Sequence, residues 1–203
     1  MFKTSQEDFW AGDFGNKYVE RNAGNKLLAG KLGIWTRLLK SVHGLSTVCE
    51  FGCNIGLNLS ALNIINSDYE LLGFDINASA VAKAKTLGFA KVEQRSIVDK
   101  ISLEQQVDLT FTSGVLIHID PKMLENVYKN LIQNSSRYIA IIEYYNPDPI
   151  EVIYRGHSDK LFKRDFAGEL MDQFGLKLVD YGFAYHRDNN CPSNDNTWFL
   201  LEK

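Results

Sequence analysis

Residues 46–51, Ser46-Thr-Val-Cys-Glu-Phe51, form a short apolar run rich in β-prone side chains, and it stops at Gly52. An apolar helical stripe follows, made of Leu57, Leu59, Leu62, Ile64 and Ile65. A buried strand passing to a helix through a glycine turn is the first half of a parallel crossover. No other feature constrains the fold as strongly, and the same alternation recurs downstream. Residues 70–75 read as a second strand, 77–87 as an alanine-rich helix and 91–95 as a weak third strand. Residues 107–112 read as a fourth strand, 121–133 as a helix with Pro121 in its first turn, and 138–143 as a fifth strand. A helix is expected over 160–174. Two β segments, 176–185 and 197–201, then close the chain with no helix between them. The pattern predicts an α/β fold: a doubly wound, mostly parallel sheet of seven strands, with one antiparallel strand near the C-terminus and a helical cap at the N-terminus.

Composition removes several functional classes. Lys and Arg total 22 against 25 Asp and Glu, a net charge of −3. Nucleic-acid binding draws on a cationic excess, so no nucleic-acid partner is expected. The first ten residues are polar and acidic, without the apolar core of a secretory signal. No apolar run approaches the roughly 18 residues of a membrane span, so no membrane partner is expected. Cys49, Cys53 and Cys191 are an odd number of cysteines, which fits reduced thiols and a cytoplasmic location.

Ligands of open α/β sheets sit at the carboxyl ends of the strands, where the strand order reverses. The turn there is Glu50-Phe-Gly52-Cys-Asn54-Ile-Gly56, an acid at a strand end followed by two spaced glycines. Asp75, the acid ending the second strand, comes 19 residues after Gly56, and a carboxylate so placed can accept both hydroxyls of a ribose. A dinucleotide turn needs Gly-x-Gly-x-x-Gly beside a pyrophosphate, a spacing absent here, and Glu50 would oppose the diphosphate. Gly24 to Gly30-Lys31 imitates a phosphate loop, but it has the wrong spacing and follows no strand. A ligand with a cationic or zwitterionic end suits Glu50 better. S-adenosyl-L-methionine has that shape, combining an amino acid, a sulfonium, a ribose and an adenine.

Glu50-x-Gly52-x-x-x-Gly56, Asp75, Ser96-Ile97 and the segment Asp108 to His118 resemble the ordered motifs of class I S-adenosylmethionine-dependent methyltransferases. Asn54 stands where many members carry glycine, and asparagine tolerates left-handed backbone. A narrower resemblance covers nearly the whole chain. Phe9 to Gly15 with Tyr18 and Arg21-Asn22, Glu143 to Pro147, Tyr154 to His157, Leu161 to Glu169 and Asp180 to Arg187 are similar to the pseudaminic acid biosynthesis-associated methylases. The resemblance implies one Rossmann-like methyltransferase domain over residues 1–203. Its cap would be residues 1–40, its cofactor-binding half 41–145, and its acceptor-side segment with the final hairpin 146–203. It implies a small acidic or nucleotide-linked sugar as acceptor, of the nonulosonic acid kind.

The cofactor residues implied are Glu50, Gly52, Cys53, Asn54, Gly56, Asp75 and Ile76. Ser96 and Ile97 would flank the adenine, and Thr112, Ser113 and Gly114 would border the methionine end. Trp10, Phe14, Tyr18 and Arg21 would close over the cofactor as a lid, or pack as an ordinary surface helix. An acceptor hydroxyl or ammonium needs a base within hydrogen-bond reach, and His118, His157 and Glu143 are the catalytic candidates. Tyr144, Tyr145, Arg155, His157, Lys160, Arg164 and His186 are candidates for acceptor binding. The stretch 154–164 is the most basic in the chain, suited to a carboxylate or phosphate, or else simply a solvated helix start. No metal site is expected, because His118 and Asp120 find no third partner. Two other functions stay open: a module that binds the cofactor without methyl transfer, and a methyltransferase for an unrelated small molecule. Apolar periodicity leaves no visible face from which to argue an oligomeric state.

Overall fold

The computed structural model describes residues 2–21 and 24–203, so Asn22 of the N-terminal motif lies outside the described residues. In chain order the elements begin with α1 (Ser5–Ala11), α2 (Asp13–Arg21), α3 (Asn25–Leu38), β1 (Thr47–Phe51), α4 (Leu57–Ile65), β2 (Glu70–Asp75), α5 (Ala78–Lys85) and β3 (Ala90–Gln94). They continue with β4 (Val107–Ser113), α6 (Leu124–Asn134), β5 (Ser135–Glu143), β6 (Ile150–Glu151), β7 (Phe162–Lys163), α7 (Phe166–Phe174), β8 (Lys177–Ala184) and β9 (Asn196–Glu202). Seven strands form one sheet in the order β3-β2-β1-β4-β5-β9-β8, and β9 alone runs antiparallel to its neighbours β5 and β8. The mixed sheet is thus the one the alternation of elements predicts.

The chain builds outward from β1 to β3, then returns across β1 to start β4. This reversal opens a crevice between the carboxyl ends of β1 and β4. Register carries the functional acids to that edge: Glu50 pairs with Gly73 in β2 and with Phe111 in β4, and Asp75 ends β2 beside Gln94. Alternation along β1 divides the core. Cys49 and Phe51 join Val127, Tyr128, Leu131, Phe166 and Leu170 on one face, while Val48 joins Trp35, Leu38, Leu59, Leu62 and Val81 on the other. Glu50 shares the face of Val48 by period two, so a carboxylate is carried into the layer of α3 and α4.

Within the N-terminal segment the helices differ in role. In α3, Ile34, Trp35 and Leu38 are buried, and Trp35 meets Phe111 edge-on at 4.6 Å, so this helix is part of the sheet's covering layer. Helices α1 and α2 lie over the strand ends instead. They meet closely: Phe9 stacks on Phe14 at 4.0 Å, and a Cβ at Gly15 would run into the Trp10 carbonyl.

The helix expected over 160–174 is a correction. Phe162–Lys163 pairs antiparallel with Ile150–Glu151, and the helix starts only at Phe166, where the Asp165 side chain caps Gly168 N–H at 2.8 Å. Strand pairing supplies the backbone partners that a first helical turn would lack. The solvated-helix reading of residues 160–164 falls with it. Pro121–Met123 is a 3-10 turn leading into α6, not the α-helix itself. Among the described residues no helix is long and apolar enough to cross a membrane.

Candidate functional site

The turn after β1 is folded by its own residues. Gly52 N–H and Cys53 N–H both donate to the Phe74 carbonyl, at 2.8 and 2.9 Å, which ties the turn to the end of β2. Gly52 has φ +87°, and a Cβ there would come 2.5 Å from Val115 Cγ2. Asn54 occupies the left-handed region at φ 48°, as its substitution for glycine predicts. Its N–H donates to Asp75 Oδ2 at 2.7 Å, and Asn77 N–H donates to Asp75 Oδ1 at 2.8 Å. A carboxylate has about four lone-pair sites, so Asp75 keeps acceptor capacity for a ligand beside its backbone donors. Burial raises the Asp75 carboxyl, and the backbone donors draw it back.

Glu50 is 1% exposed. Its Oε1 accepts from Asn58 Nδ2 at 2.6 Å, and Asn58 Oδ1 accepts from Trp35 Nε1 at 3.2 Å, so α3 and α4 brace the carboxylate together. Its Oε2 is buried and finds no hydrogen-bond partner among the described residues. Burial raises the Glu50 carboxyl well above the carboxylate range. A partner-less buried carboxylate oxygen is costly for a fold and suits a ligand that brings a cation.

These groups line one cavity at the switch point. Its walls include Glu50, Gly52, Cys53, Asn54, Asp75, Ile76, Ser96, Ile97, Ser113 and Gly114, with Trp10 and Tyr18 above and His118 at one side. Gly56, Thr112 and Arg21 lie outside the walls: Gly56 starts α4, Thr112 is buried beneath, and the Arg21 guanidinium sits 5.6 Å from the Phe14 ring. The roof is fastened by polar contacts. Glu7 Oε1 accepts from Ser96, Gln6 Nε2 donates to the Asp159 carbonyl at 3.0 Å, and Asn77 Nδ2 donates to the Trp10 carbonyl at 3.0 Å.

The three catalytic candidates are placed differently. His118 is buried, its Nδ1 lies 2.6 Å from the Lys160 carbonyl, and its ring packs against Trp10 (4.5 Å) and Tyr154 (4.9 Å). Burial lowers its pKa to about 4, so the ring is neutral, with Nδ1–H donating and Nε2 left as an acceptor. Glu143 is buried away from the cavity; its carboxylate accepts from Val115 N–H at 3.0 Å and Leu116 N–H at 3.1 Å, which holds the loop after β4. Burial pushes its pKa up to about 7. His157 is exposed and meets Phe9 and Phe14 edge-on.

None of the acceptor candidates lines the cavity; Arg155 and Lys160 lie at its rim with Lys163. Lys160 Nζ donates to Ser5 Oγ at 2.8 Å, Lys163 sits 5.1 Å from the Tyr144 ring, and Arg155 is exposed near Tyr154. Tyr145 is exposed beside Phe199. Arg164 is engaged elsewhere, its Nε on Glu169 Oε1 at 2.5 Å, and His186 Nδ1 meets Asp195 at 2.8 Å on the last hairpin. Sequence reading missed Glu7, Lys31, Asn58, Asn77 and Asn194, all of which line the cavity. Glu7 had a signal: Thr4-x-x-Glu7 is a capping-box pattern, and both of its bonds are present.

No family model and no curated protein sequence matches the chain. Solved structures do. An S-adenosylmethionine-dependent methyltransferase of Leishmania major superposes with a TM-score of 0.72 at 15% identity, over 99% of this chain and 87% of that one. Magnesium protoporphyrin IX methyltransferase of Synechocystis, with bound S-adenosylhomocysteine, gives 0.70 at 13% identity over 97% of each chain. An S-adenosylmethionine-dependent methyltransferase of Archaeoglobus fulgidus gives 0.69 at 16%, over 94% of this chain and 100% of that one. The likeness is one of fold: the chain has the Rossmann-like fold of the class I S-adenosylmethionine-dependent methyltransferases.

Proposed function

We propose that the protein is a methyltransferase that uses S-adenosyl-L-methionine and methylates a small acidic or nucleotide-linked sugar, of the nonulosonic acid kind. The observation that carries the cofactor assignment is the pairing of Glu50 Oε2, buried and without a partner, with Asp75 at the next strand end in the same cavity. Glu50 would hold the cationic amino-acid end, Asp75 the ribose hydroxyls, and the Ser96–Glu7 region the adenine. When bound, the cofactor supplies a methyl group made electrophilic by its sulfonium. The chain's own part is alignment, which accounts for much of the acceleration of such a displacement. The roof of α1 and α2 excludes water. His118, on the cavity wall with Nδ1 committed to the Lys160 carbonyl, would use Nε2 to orient an acceptor hydroxyl and take its proton. Glu143 fixes the loop after β4 and acts as a positioning residue.

The acidic sugar is supported by the basic rim of Arg155, Lys160 and Lys163 beside His118, and by the sequence resemblance over the same segment. Titration calorimetry with S-adenosylhomocysteine tests the cofactor, with NAD as control. Micromolar binding to the wild type, lost in Asp75→Ala and absent for NAD, is expected. No binding to the wild type would end the methyltransferase reading. Methyl transfer to a panel of nonulosonic acids and their nucleotide-activated forms then tests the acceptor.

A further inference from the structure

The last two strands of the sheet are closed on one face only. Toward α3, Ala184 of β8 and Trp198 and Leu200 of β9 are buried in the core that holds Trp35 and Leu38. Alternation gives the other face Leu178, Tyr181 and Phe183 of β8, with Thr197, Phe199 and Leu201 of β9. Helix α7 reaches Leu201, which is buried in one core with Leu170, and the β8 side chains stay open. Tyr181 is 64% exposed, Phe183 53% and Leu178 44%. Tyr181 stacks on Phe199 at 6.3 Å, and Phe199 meets Tyr145, itself 43% exposed, at 6.0 Å. The rings form one continuous strip. Periodicity along the chain hides it, because β9 is apolar on both of its faces.

A sheet face turned to water ordinarily carries polar side chains, and an exposed apolar patch of a few hundred Å² marks a place of contact. At these exposures the strip leaves about 300–450 Å² uncovered, taking roughly 150–250 Å² for each ring when fully buried. An interface of ordinary size buries about 800 Å² on each partner, a little over half of it apolar, so the strip matches the apolar centre of one such half. Strand β8 is also the edge of the sheet. There Asp180 Oδ1 accepts from Tyr181 N–H at 2.8 Å, and the register shifts between Leu178 and Asp180. Both features blunt an edge against an added strand, so an extended peptide is a poor occupant and a partner must pack on the face. None of the six alternating side chains is charged, so the face holds nothing that selects an acidic or a basic partner. An uncharged aromatic face does complement its own image about a two-fold axis.

We propose that this face is an interface between two copies of the chain, packed face to face about a two-fold axis with Tyr181, Phe183 and Phe199 at its centre. Tyr145 follows Tyr144, whose ring lies 5.1 Å from Lys163. The second copy therefore borders the acceptor rim, and none of its contact residues lines the cofactor cavity.

Sedimentation equilibrium on the full chain tests the proposal, using the wild type, the double variant Tyr181→Ser with Phe183→Ser, and Ile64→Ser as a control on α4, where Ile64 is exposed. The wild type and Ile64→Ser should sediment at twice the chain mass at micromolar concentration. The double variant should dimerise about a hundredfold or more weakly, as expected when two aromatic anchors are lost. Hydrogen exchange of the unaltered protein gives a second reading that no folding defect can imitate: β8 and β9 should exchange more slowly at high than at low concentration. A wild type that stays monomeric at about 100 μM, too weak for a specific dimer, overturns the proposal and leaves the face to an unlike partner. A folded double variant that still dimerises, or exchange in β8 and β9 that ignores concentration, overturns it by placing the contact elsewhere. Assembly beyond two copies overturns the two-fold arrangement. None of these readings depends on the cofactor assignment.

Discussion

Gly52 has no room for a side chain: its backbone is left-handed and Val115 fills the space where a Cβ would go. Gly52→Ala combines a backbone cost of about 1–2 kcal/mol with a clash against the loop that Glu143 holds. Urea denaturation should show a loss of at least that size, and calorimetry should show S-adenosylhomocysteine binding abolished. Asp75→Ala removes the acceptor for two backbone donors as well as the ligand's partner. Its S-adenosylhomocysteine affinity should therefore fall about a hundredfold or more, since hydrogen bonds to a charged group are worth about 1.5–3 kcal/mol each. A loss of less than tenfold would place the ribose elsewhere. Glu50, Gly52 and Asp75 were legible in the sequence because each lies at a strand end that local pattern locates. Lys31 and Asn58 were not: they enter the cavity only through the packing of α3 and α4 on the far side of β1, a relation that spacing along the chain does not encode.

Helices α1 and α2 are held over the strand ends by polar contacts at their edges and by aromatic packing of Trp10 and Phe14 on His118 and Tyr154. Glu7 serves twice, capping Lys3 N–H and Thr4 N–H with Oε2, at 2.6 and 3.1 Å, and accepting from Ser96 with Oε1. Glu7→Ala removes a cap worth roughly 1 kcal/mol together with the latch. Hydrogen exchange should then quicken in Ser5–Ala11 while β1, β4 and β5 keep their protection, and S-adenosylhomocysteine should dissociate faster. Equal exchange in variant and wild type would show the roof to be held by its aromatic contacts alone. The strands were readable from their apolar runs and turns, and β9 from the missing helix before it. The β6–β7 pair was not, because two residues per strand leave no period to read, and the helical pattern from Phe166 onward masked the start at Asp165.

For the whole molecule, buried titratable groups set how stability follows pH. The folded pKa of His118 is lowered from 6.5 to about 4, so between those values the unfolded chain binds more protons and stability rises with pH. That of Glu143 is raised from 4.5 to about 7, so the native state binds more protons there and stability falls as pH rises. The two oppose each other below pH 6.5; above it Glu143 acts without His118, while the shifts of Glu50 and Lys31 act in opposite senses. From Glu143 alone ligand-free protein should lose about 1 kcal/mol between pH 6.5 and 8, and Glu50, raised to about 8, should deepen that loss, as urea denaturation at both pH values measures. A rise over that interval would show that the two buried carboxyls do not hold their protons in the fold at the lower pH. That the sheet is doubly wound and mostly parallel was legible from the alternation of strands and helices, whereas its strand order was not. What lies over the point where that order reverses was not legible either, because it depends on where chain ends and loops come to rest.

The roof also touches the acceptor side: Gln6 bonds to Asp159 and Ser5 to Lys160, whose carbonyl holds His118. Lifting α1 to exchange the cofactor therefore slackens the segment on which an acceptor would rest. In the proposed methyltransferase, traffic would then have a fixed sequence, with the donor first to arrive and its spent form last to leave. Product-inhibition kinetics should show S-adenosylhomocysteine competing with S-adenosylmethionine alone.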